Sequence, residues 1–146
     1  MDDLGAVDIL LVEDSDADAE MTTRALRRRG LVNKLVRVRD GVEALEFVFR
    51  EGPWSTRSSA QPKLVLLDLK MPRLGGIDVL RHLKSNQRTQ SLPVVMLTSS
   101  AEEQDIAESY LLGVNSYLVK PVAFPAFVEL VGHLGMYWAV MNRLPA

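Results

Sequence analysis

The 146-residue chain contains no cysteine, which excludes both a disulfide framework and a thiolate zinc site. It also lacks a strong charge of either sign, since 17 basic residues oppose 19 acidic ones and the net charge is −2. This balance argues against broad nucleic-acid binding, which requires a concentrated basic surface. The longest apolar run, residues 136–141, is far shorter than the ~20 residues that span a bilayer. The acidic start Met1-Asp2-Asp3 lacks the features of a signal peptide, so we expect a cytoplasmic protein with no membrane partner.

What the chain does contain is a regular alternation of strand-like and helix-like segments. Short apolar runs predict strands over residues 7–12, 35–38, 63–68, 94–97 and 115–119. Apolar residues at helical spacing predict helices over residues 16–29, 41–50, 76–86, 102–112 and 125–143. Five strands in strict alternation with five helices are typical of βαβ units. We therefore expect an α/β fold with a doubly wound parallel sheet and helices on both of its faces.

Residues 52–62 interrupt this alternation. Their proline, serine and threonine content predicts a loop. The loop is long for an internal connection, so it is expected either to be mobile or to make a family-specific contact.

Three acidic residues follow two of the most apolar predicted strands. Asp68 ends the run Leu64-Val65-Leu66-Leu67, and Glu13-Asp14 ends the run Ile9-Leu10-Leu11-Val12. If both strands lie in one parallel sheet, the three carboxylates meet at one edge, where like charges repel unless they are neutralised. Mg²⁺ prefers oxygen ligands and is the simplest neutraliser. In this interpretation Asp14 binds the metal directly, Glu13 binds it directly or through water, and Asp68 is both a ligand and a nucleophile for phosphoryl transfer.

Two further polar side chains are expected at the same edge. Thr98 closes the apolar run from Pro93 to Leu97, and its hydroxyl can donate to a phosphoryl oxygen on Asp68. Lys120 follows Tyr117-Leu118-Val119 and can supply a positive charge to a phosphate. The alternatives are an ordinary strand threonine and a surface lysine.

These residues together resemble the receiver domain of bacterial response regulators, the CheY-like family. The resemblance covers about residues 8–134, and the order and spacing of its elements are specific. Those elements are Glu13-Asp14, Asp68 with Met71-Pro72 and Gly76, Thr98-Ser99, and Tyr117 with Lys120-Pro121.

The resemblance implies a flavodoxin-like strand order, 2-1-3-4-5, and a role for each matching residue. Asp68 is then the phosphoacceptor, supplied by a phosphohistidine on a sensor histidine kinase, and the protein is a signalling protein rather than an enzyme. Glu13 and Asp14 are the metal acids, and the backbone carbonyl of Lys70 is a further metal ligand. Thr98 and Tyr117 are the switch pair, which remodels the surface formed by the last two predicted helices and the last strand after phosphorylation.

The C-terminal residues predict how such a protein signals. We expect a single receiver domain over residues 1–146, with a core over about 7–134 and a helical extension over about 135–146. Too little chain follows Lys120-Pro121 for an output domain such as a helix-turn-helix. The apolar segment 136–141 predicts a homodimer through the C-terminal helix; binding of another protein and packing under the loop 52–62 are the alternatives. The start, loop and tail also resemble the stand-alone receivers that partner phytochrome-type histidine kinases and form homodimers.

Three other functions fit the residues less well. A haloacid-dehalogenase-type phosphohydrolase requires a second aspartate two residues after the nucleophile, where this chain has Lys70. A flavodoxin-type electron carrier requires a phosphate-binding loop after the first strand, where this chain has acids that repel a phosphate. A receiver-like adaptor that acts without phosphorylation does not need the full set of acids, threonine and lysine.

Overall fold

The computed structural model describes residues 7–27, 34–57, 60–99, 114 and 116–135. The predicted helix over residues 102–112 and the tail over 136–146 lie outside the described residues.

A five-stranded parallel sheet forms the centre of the molecule. Its strands lie in the order β2-β1-β3-β4-β5, which confirms the doubly wound α/β fold and the flavodoxin-like order expected from the sequence. Strands β1, β3 and β4 are buried along their whole length, as expected when helices cover both faces of a parallel sheet. The strands are β1 (Ile9–Val12), β2 (Leu35–Val38), β3 (Leu64–Asp68), β4 (Val94–Thr98) and β5 (Ser116–Val119).

Four described helices, numbered here in chain order, pack on the two faces of this sheet. Helix α1 begins after Ser15, whose Oγ accepts the Asp18 amide at 3.1 Å, and α2 begins after Asp40, whose carboxylate accepts the Glu43 amide at 2.9 Å. Such caps satisfy amides that have no partner inside the helix. The helices are α1 (Asp16–Leu26), α2 (Gly41–Phe49), α3 (Gly76–Lys84) and α4 (Phe124–His133).

The alternating side chains of the strands divide the core into two layers. Leu10, Leu67 and Met96 point to the face covered by α2 and α3, where Phe47 is the largest buried side chain. Ile9 and Leu66 point to the opposite face, covered by α1 and α4. Both layers are apolar, so the polar side chains of the central strands lie at the strand ends.

Some predicted boundaries were wrong at the helix ends. Helix α4 ends at His133, although the apolar stripe predicted a helix to residue 143. Gly135 takes a φ of +69°, which is outside the α-helical region, and its amide donates to the Gly132 carbonyl. The remaining predicted stretch, residues 136–143, lies outside the described residues. Helix α3 likewise ends at Lys84, two residues before the predicted end.

The described part of the loop 52–62 packs against the end of α2. A short 3₁₀ helix, Gly52–Trp54, places the Trp54 ring edge-on to Phe47 with 4.8 Å between ring centroids. The Arg57 guanidinium lies 4.2 Å from the centre of the same ring and donates to the carbonyls of Phe47 and Val48 at 2.9 and 3.3 Å. These contacts tie the described part of the loop to the end of α2. In the part of the chain that the structure describes, no helix has the length and apolar character needed to cross a membrane.

We expect Gly41→Ala to destabilise the fold, because the first residue of α2 packs directly against the loop before α3. A Cβ at Gly41 would overlap the Leu74 carbonyl oxygen and lie 2.7 Å from Val79 Cγ2. Overpacking of this kind costs about 1–3 kcal/mol. Urea denaturation should show this loss, whereas the control Gly132→Ala, which has open space around it in α4, should gain about 0.5–1 kcal/mol. Equal stability of the two variants would contradict the described packing.

Candidate functional site

The carboxyl ends of four strands bring the predicted site residues to one edge of the sheet. Glu13 follows β1, Asp68 is the last residue of β3, Thr98 is the last residue of β4, and Lys120 follows β5. The strand register aligns these ends, since Val12 lies beside Leu67 and Asp68 lies beside Leu97. In an open parallel sheet this edge is the usual place for a ligand site.

Three carboxylates form the acidic part of this site. Oxygen atoms of Glu13, Asp14 and Asp68 all lie within 4.8 Å of one another, with Glu13 and Asp68 buried and Asp14 exposed. Three carboxylate oxygens at this spacing are a donor set that fits a hard divalent cation. One side of the cluster is open at Asp14, so an ion can enter without unfolding of the site.

Burial and a neighbouring acid make Asp68 reluctant to ionise in the metal-free site. Loss of solvation raises its pKa, and the hydrogen bond and charge of Glu13 raise it further, to about 7, although Lys120 opposes this shift. The site is therefore poised to gain stability from any positive charge that binds there.

The Lys120 ammonium is the cation that the fold itself supplies. Its Nζ donates to Glu13 Oε1 at 3.1 Å, to Asp18 Oδ2 at 3.1 Å and to Asp68 Oδ2 at 3.4 Å. Burial lowers the pKa of Lys120, but the charge of Asp68 and the hydrogen bonds to Asp18 and Glu13 more than offset this and raise its pKa. Lys120 therefore remains charged at the centre of the acids.

Asp18 was missed by the reasoning from sequence. It stands in the first turn of α1, and its partnership with Lys120 joins residues 102 positions apart. The sequence carries no local signal for this pair, because it forms only where α1 meets the end of β5 in the folded chain. Asp16, between them, points elsewhere and binds Arg37 and Arg39 at 2.9 and 2.7 Å.

The hydroxyl of Thr98 is buried at this edge without a partner. In the part of the chain that the structure describes, no hydrogen bond reaches Thr98 Oγ1. A buried hydroxyl with no partner costs about 1–3 kcal/mol, so the site has a donor available for an oxygen that binds beside it.

Tyr117 lies on β5, two residues before the position that pairs with Thr98. It pairs with Met96 in the register of β4 and β5, and its ring packs partly buried against the core layer beneath α2 and α3. Because side chains alternate along a strand, Tyr117 and Thr98 lie on the same face of the sheet. The structure thus places both predicted switch residues on one face.

Lys70 stands in the loop after β3, two residues beyond Asp68, and is exposed. The loop is held at both ends. The Gly76 amide donates to the Leu69 carbonyl at 3.0 Å, and Arg73 binds the Asp40 carboxylate through two hydrogen bonds of 2.7 and 3.0 Å. Arg73 takes a φ of +66°, an uncommon conformation for a non-glycine residue that this bidentate contact helps to hold.

Comparison with known proteins agrees with this geometry. Residues 9–132 match the family described as the response regulator receiver domain. Response regulator Rcp1 of Synechocystis sp. is 37% identical over 138 residues, which cover 94% of this chain and 92% of Rcp1.

Solved structures are similar in both sequence and fold. The bacteriophytochrome response regulator RtBRR is 48% identical with a TM-score of 0.86, and the alignment covers 96% of this chain and 84% of RtBRR. The bacteriophytochrome response regulator AtBRR is 46% identical with a TM-score of 0.86, covering 94% and 99% of the two chains. The Mn²⁺-bound form of Rcp1 is 36% identical with a TM-score of 0.70, covering 94% and 98%.

Receiver domains bind divalent metal ions, partner histidine kinases and signal through phosphorylation of an aspartate rather than through turnover of a substrate. The fold, the strand order and the acidic edge described above are those of such a domain. This chain belongs to the response regulator receiver domain family.

Proposed function

We propose that Asp68 is the phosphoacceptor of this receiver domain and that its donor is a phosphohistidine on a sensor histidine kinase. The observation that carries this proposal is the meeting of the Asp68 carboxylate with two other acids and the Lys120 ammonium at one strand edge. Of the three clustered acids, Asp68 and Glu13 are buried, but only Asp68 is the last residue of a central strand.

The chemistry is a transfer between two nucleophiles. A carboxylate oxygen of Asp68 attacks the phosphorus as the bond from phosphorus to the histidine nitrogen breaks. The electron pair of that bond leaves with the imidazole, which takes up a proton, and Asp68 becomes an acyl phosphate. Lys120 offsets the added negative charge, and the Thr98 hydroxyl donates to a phosphoryl oxygen.

The clustered acids support a metal site at this edge, with Mg²⁺ as its ion. The residues that would hold it are Glu13, Asp14 and Asp68, together with the backbone carbonyl of Lys70. All are oxygen donors, which Mg²⁺ prefers, and the similar protein Rcp1 has been solved in an Mn²⁺-bound form. When bound, the ion supplies positive charge that offsets the mutual repulsion of the carboxylates and the charge of the incoming phosphoryl group.

Thr98 and Tyr117 form the proposed switch. A phosphoryl group adds a charge of about −1.5 to −2 and strong acceptors, which biases a two-state element in its neighbourhood. The unpartnered Thr98 hydroxyl moves toward the new acceptors, and Tyr117 on the same face of the sheet turns inward behind it. The surface beside β5 changes as a result.

The partner kinase is proposed from the likeness to RtBRR and AtBRR, and the homodimer is proposed from the apolar tail of the chain. The first two are bacteriophytochrome response regulators, which supports a phytochrome-type histidine kinase as the partner. The apolar segment 136–141, which contains Trp138 and lies outside the described residues, supports a homodimer through the C-terminal region.

We expect Asp68→Asn to abolish phosphorylation, since an amide cannot form the acyl phosphate. Labelling by acetyl phosphate or by a phosphorylated kinase would be followed by mass spectrometry. Removal of Mg²⁺ with EDTA should also stop labelling, because the uncompensated acids repel the phosphoryl group.

The matched control for this test is Asp78→Asn, which removes an exposed aspartate on α3 that is paired with Arg81. It should be labelled normally. Undiminished, acid-stable labelling of Asp68→Asn, or rapid labelling in EDTA, would contradict the proposed site.

The raised pKa of Asp68 predicts a pH-dependent stability in the absence of metal. The folded-state pKa of about 7 lies above the ordinary value of 3.8, so the folded protein binds more protons between these values and its stability falls as pH rises through this window. Asp68→Asn removes this effect. The free energy of unfolding of Asp68→Asn, minus that of the unaltered protein, should grow by on the order of 2 kcal/mol from about pH 5 to about pH 8, since one pKa unit is about 1.4 kcal/mol.

Urea denaturation in EDTA measures this difference, and saturating Mg²⁺ should reduce it because the ion favours the ionised carboxylate. A constant difference across the pH range would show that Asp68 is ionised as readily in the folded state as in the unfolded one.

Truncation after Gly135 should convert the proposed dimer into a monomer, because it removes the apolar segment 136–141. Sedimentation velocity measures the change in mass. Truncation after residue 141 keeps that segment and is the control, which should remain dimeric. An unchanged dimer after truncation at Gly135 would place the interface elsewhere.

A further inference from the structure

The Lys120 ammonium has three acidic partners, and one of them does not belong to the acid cluster. Glu13 and Asp68 are two of the three clustered carboxylates, whereas the third partner, Asp18, lies outside the cluster on α1. The three N–H donors of an ammonium can thus all be used, one on each acid. The two clustered partners have a second task in the proposed function, as ligands or nucleophile, and Asp18 does not.

The backbone fixes Asp18 independently of Lys120. The Asp18 amide donates to the Ser15 hydroxyl at 3.1 Å as part of the cap of α1, and the Ser15 amide donates to Glu13 Oε2 at 3.2 Å. A carboxylate in the first turn of a helix is also favoured by the helix dipole. Asp18 therefore remains in place when the partners of Lys120 change.

The Lys120–Asp18 pair is more buried than a surface salt bridge. The Lys120 side chain is 13% exposed and the Asp18 side chain 42% exposed, so the ammonium is largely withdrawn from water. The pair lines a cleft of about 210 Å³ together with Met21, Thr22, Ser99 and Pro121, immediately beside the acid cluster. Partial burial strengthens the attraction between opposite charges relative to an exposed pair.

We propose that Asp18 is a positioning residue that holds the Lys120 ammonium at the mouth of the site when Glu13 and Asp68 are engaged in phosphoryl transfer. This inference rests on the proposed function of Asp68. Positive charge at the acid cluster competes with Lys120 for the oxygens of Glu13 and Asp68 and repels the ammonium. Asp18 lies on the cleft side of Lys120 and keeps the ammonium within reach of a phosphoryl oxygen, so the lysine is not lost to solvent.

The chain offers a matched pair of variants for testing this role. Asp18→Asn removes the charge and leaves the helix cap intact, because the cap uses the Asp18 backbone amide. Asp16→Asn removes the same charge two residues away, where the carboxylate binds Arg37 and Arg39 instead of Lys120. Asp18→Glu restores the charge on a longer side chain and tests rescue.

The first measurement needs neither metal nor phosphorylation. Competitive acetylation of lysines in the metal-free protein, read by mass spectrometry, reports how firmly each ammonium is held. Asp18→Asn should increase acetylation of Lys120 at least about two-fold, because one stabilising partner of the charged amine is lost, and Asp16→Asn should not. Unchanged acetylation of Lys120 in Asp18→Asn would overturn the proposal.

The second measurement separates positioning from metal binding. Calorimetric titration with Mg²⁺ should give similar affinities for the unaltered protein and for Asp18→Asn. At saturating Mg²⁺ the rate of phosphorylation by acetyl phosphate should fall in Asp18→Asn, by up to roughly 100-fold, since a misplaced group at the reacting centre can cost this order of rate. Asp18→Glu should recover part of that rate, and Asp16→Asn should keep all of it.

A normal rate in Asp18→Asn, or a loss explained entirely by weaker Mg²⁺ binding, would overturn the role of Asp18. Absence of phosphorylation in the unaltered protein would instead refute the proposed function. The acetylation of Lys120 would then still decide whether Asp18 holds this lysine.

Discussion

The structure depends on the confinement of like charges at one edge of the sheet. Glu13 and Asp68 are buried side by side, and the loss of solvation, followed by the hydrogen bond and charge of Glu13, raises the pKa of Asp68. The fold tolerates this because Lys120, from the end of β5, brings a partly buried positive charge between them. Removal of one charge from such a group leaves the others uncompensated, so the three side chains act as a unit. The proposed phosphoryl transfer to Asp68 would use the same imbalance of charge.

Several contacts outside the acid cluster hold the chain segments that carry it. Arg37 on β2 donates to the Glu13 carbonyl at 2.8 Å and also binds Asp16, which ties the start of α1 to the second strand. On the other side, the two hydrogen bonds between Arg73 and Asp40 join the loop after Asp68 to the cap of α2. The site is thus supported from both faces of the sheet, each through an arginine that bridges two elements.

The strand ends could be predicted because the information is local. Apolar runs that stop at an acid, a threonine or a lysine identify the edge, and the alternation of elements gives the parallel sheet. Asp18 and the packing of Arg57 on α2 could not be predicted, because each depends on residues brought together only by the folded chain. The end of α4 was missed for a different reason. Apolar residues at helical spacing continue past Gly135 and predict a longer helix, whereas a glycine at this point is typical of a helix end.

The buried Thr98 hydroxyl has a consequence for how such a sequence is maintained. Its oxygen is enclosed by the sheet and receives no hydrogen bond from the described residues, so the resting protein bears the cost of an unsatisfied polar atom. Valine has nearly the same shape and no such cost. A lineage selected only for thermal resistance would therefore drift toward valine at position 98. Threonine at position 98 therefore gains its benefit only in the proposed phosphorylated state, in which its hydroxyl has a phosphoryl oxygen as a partner.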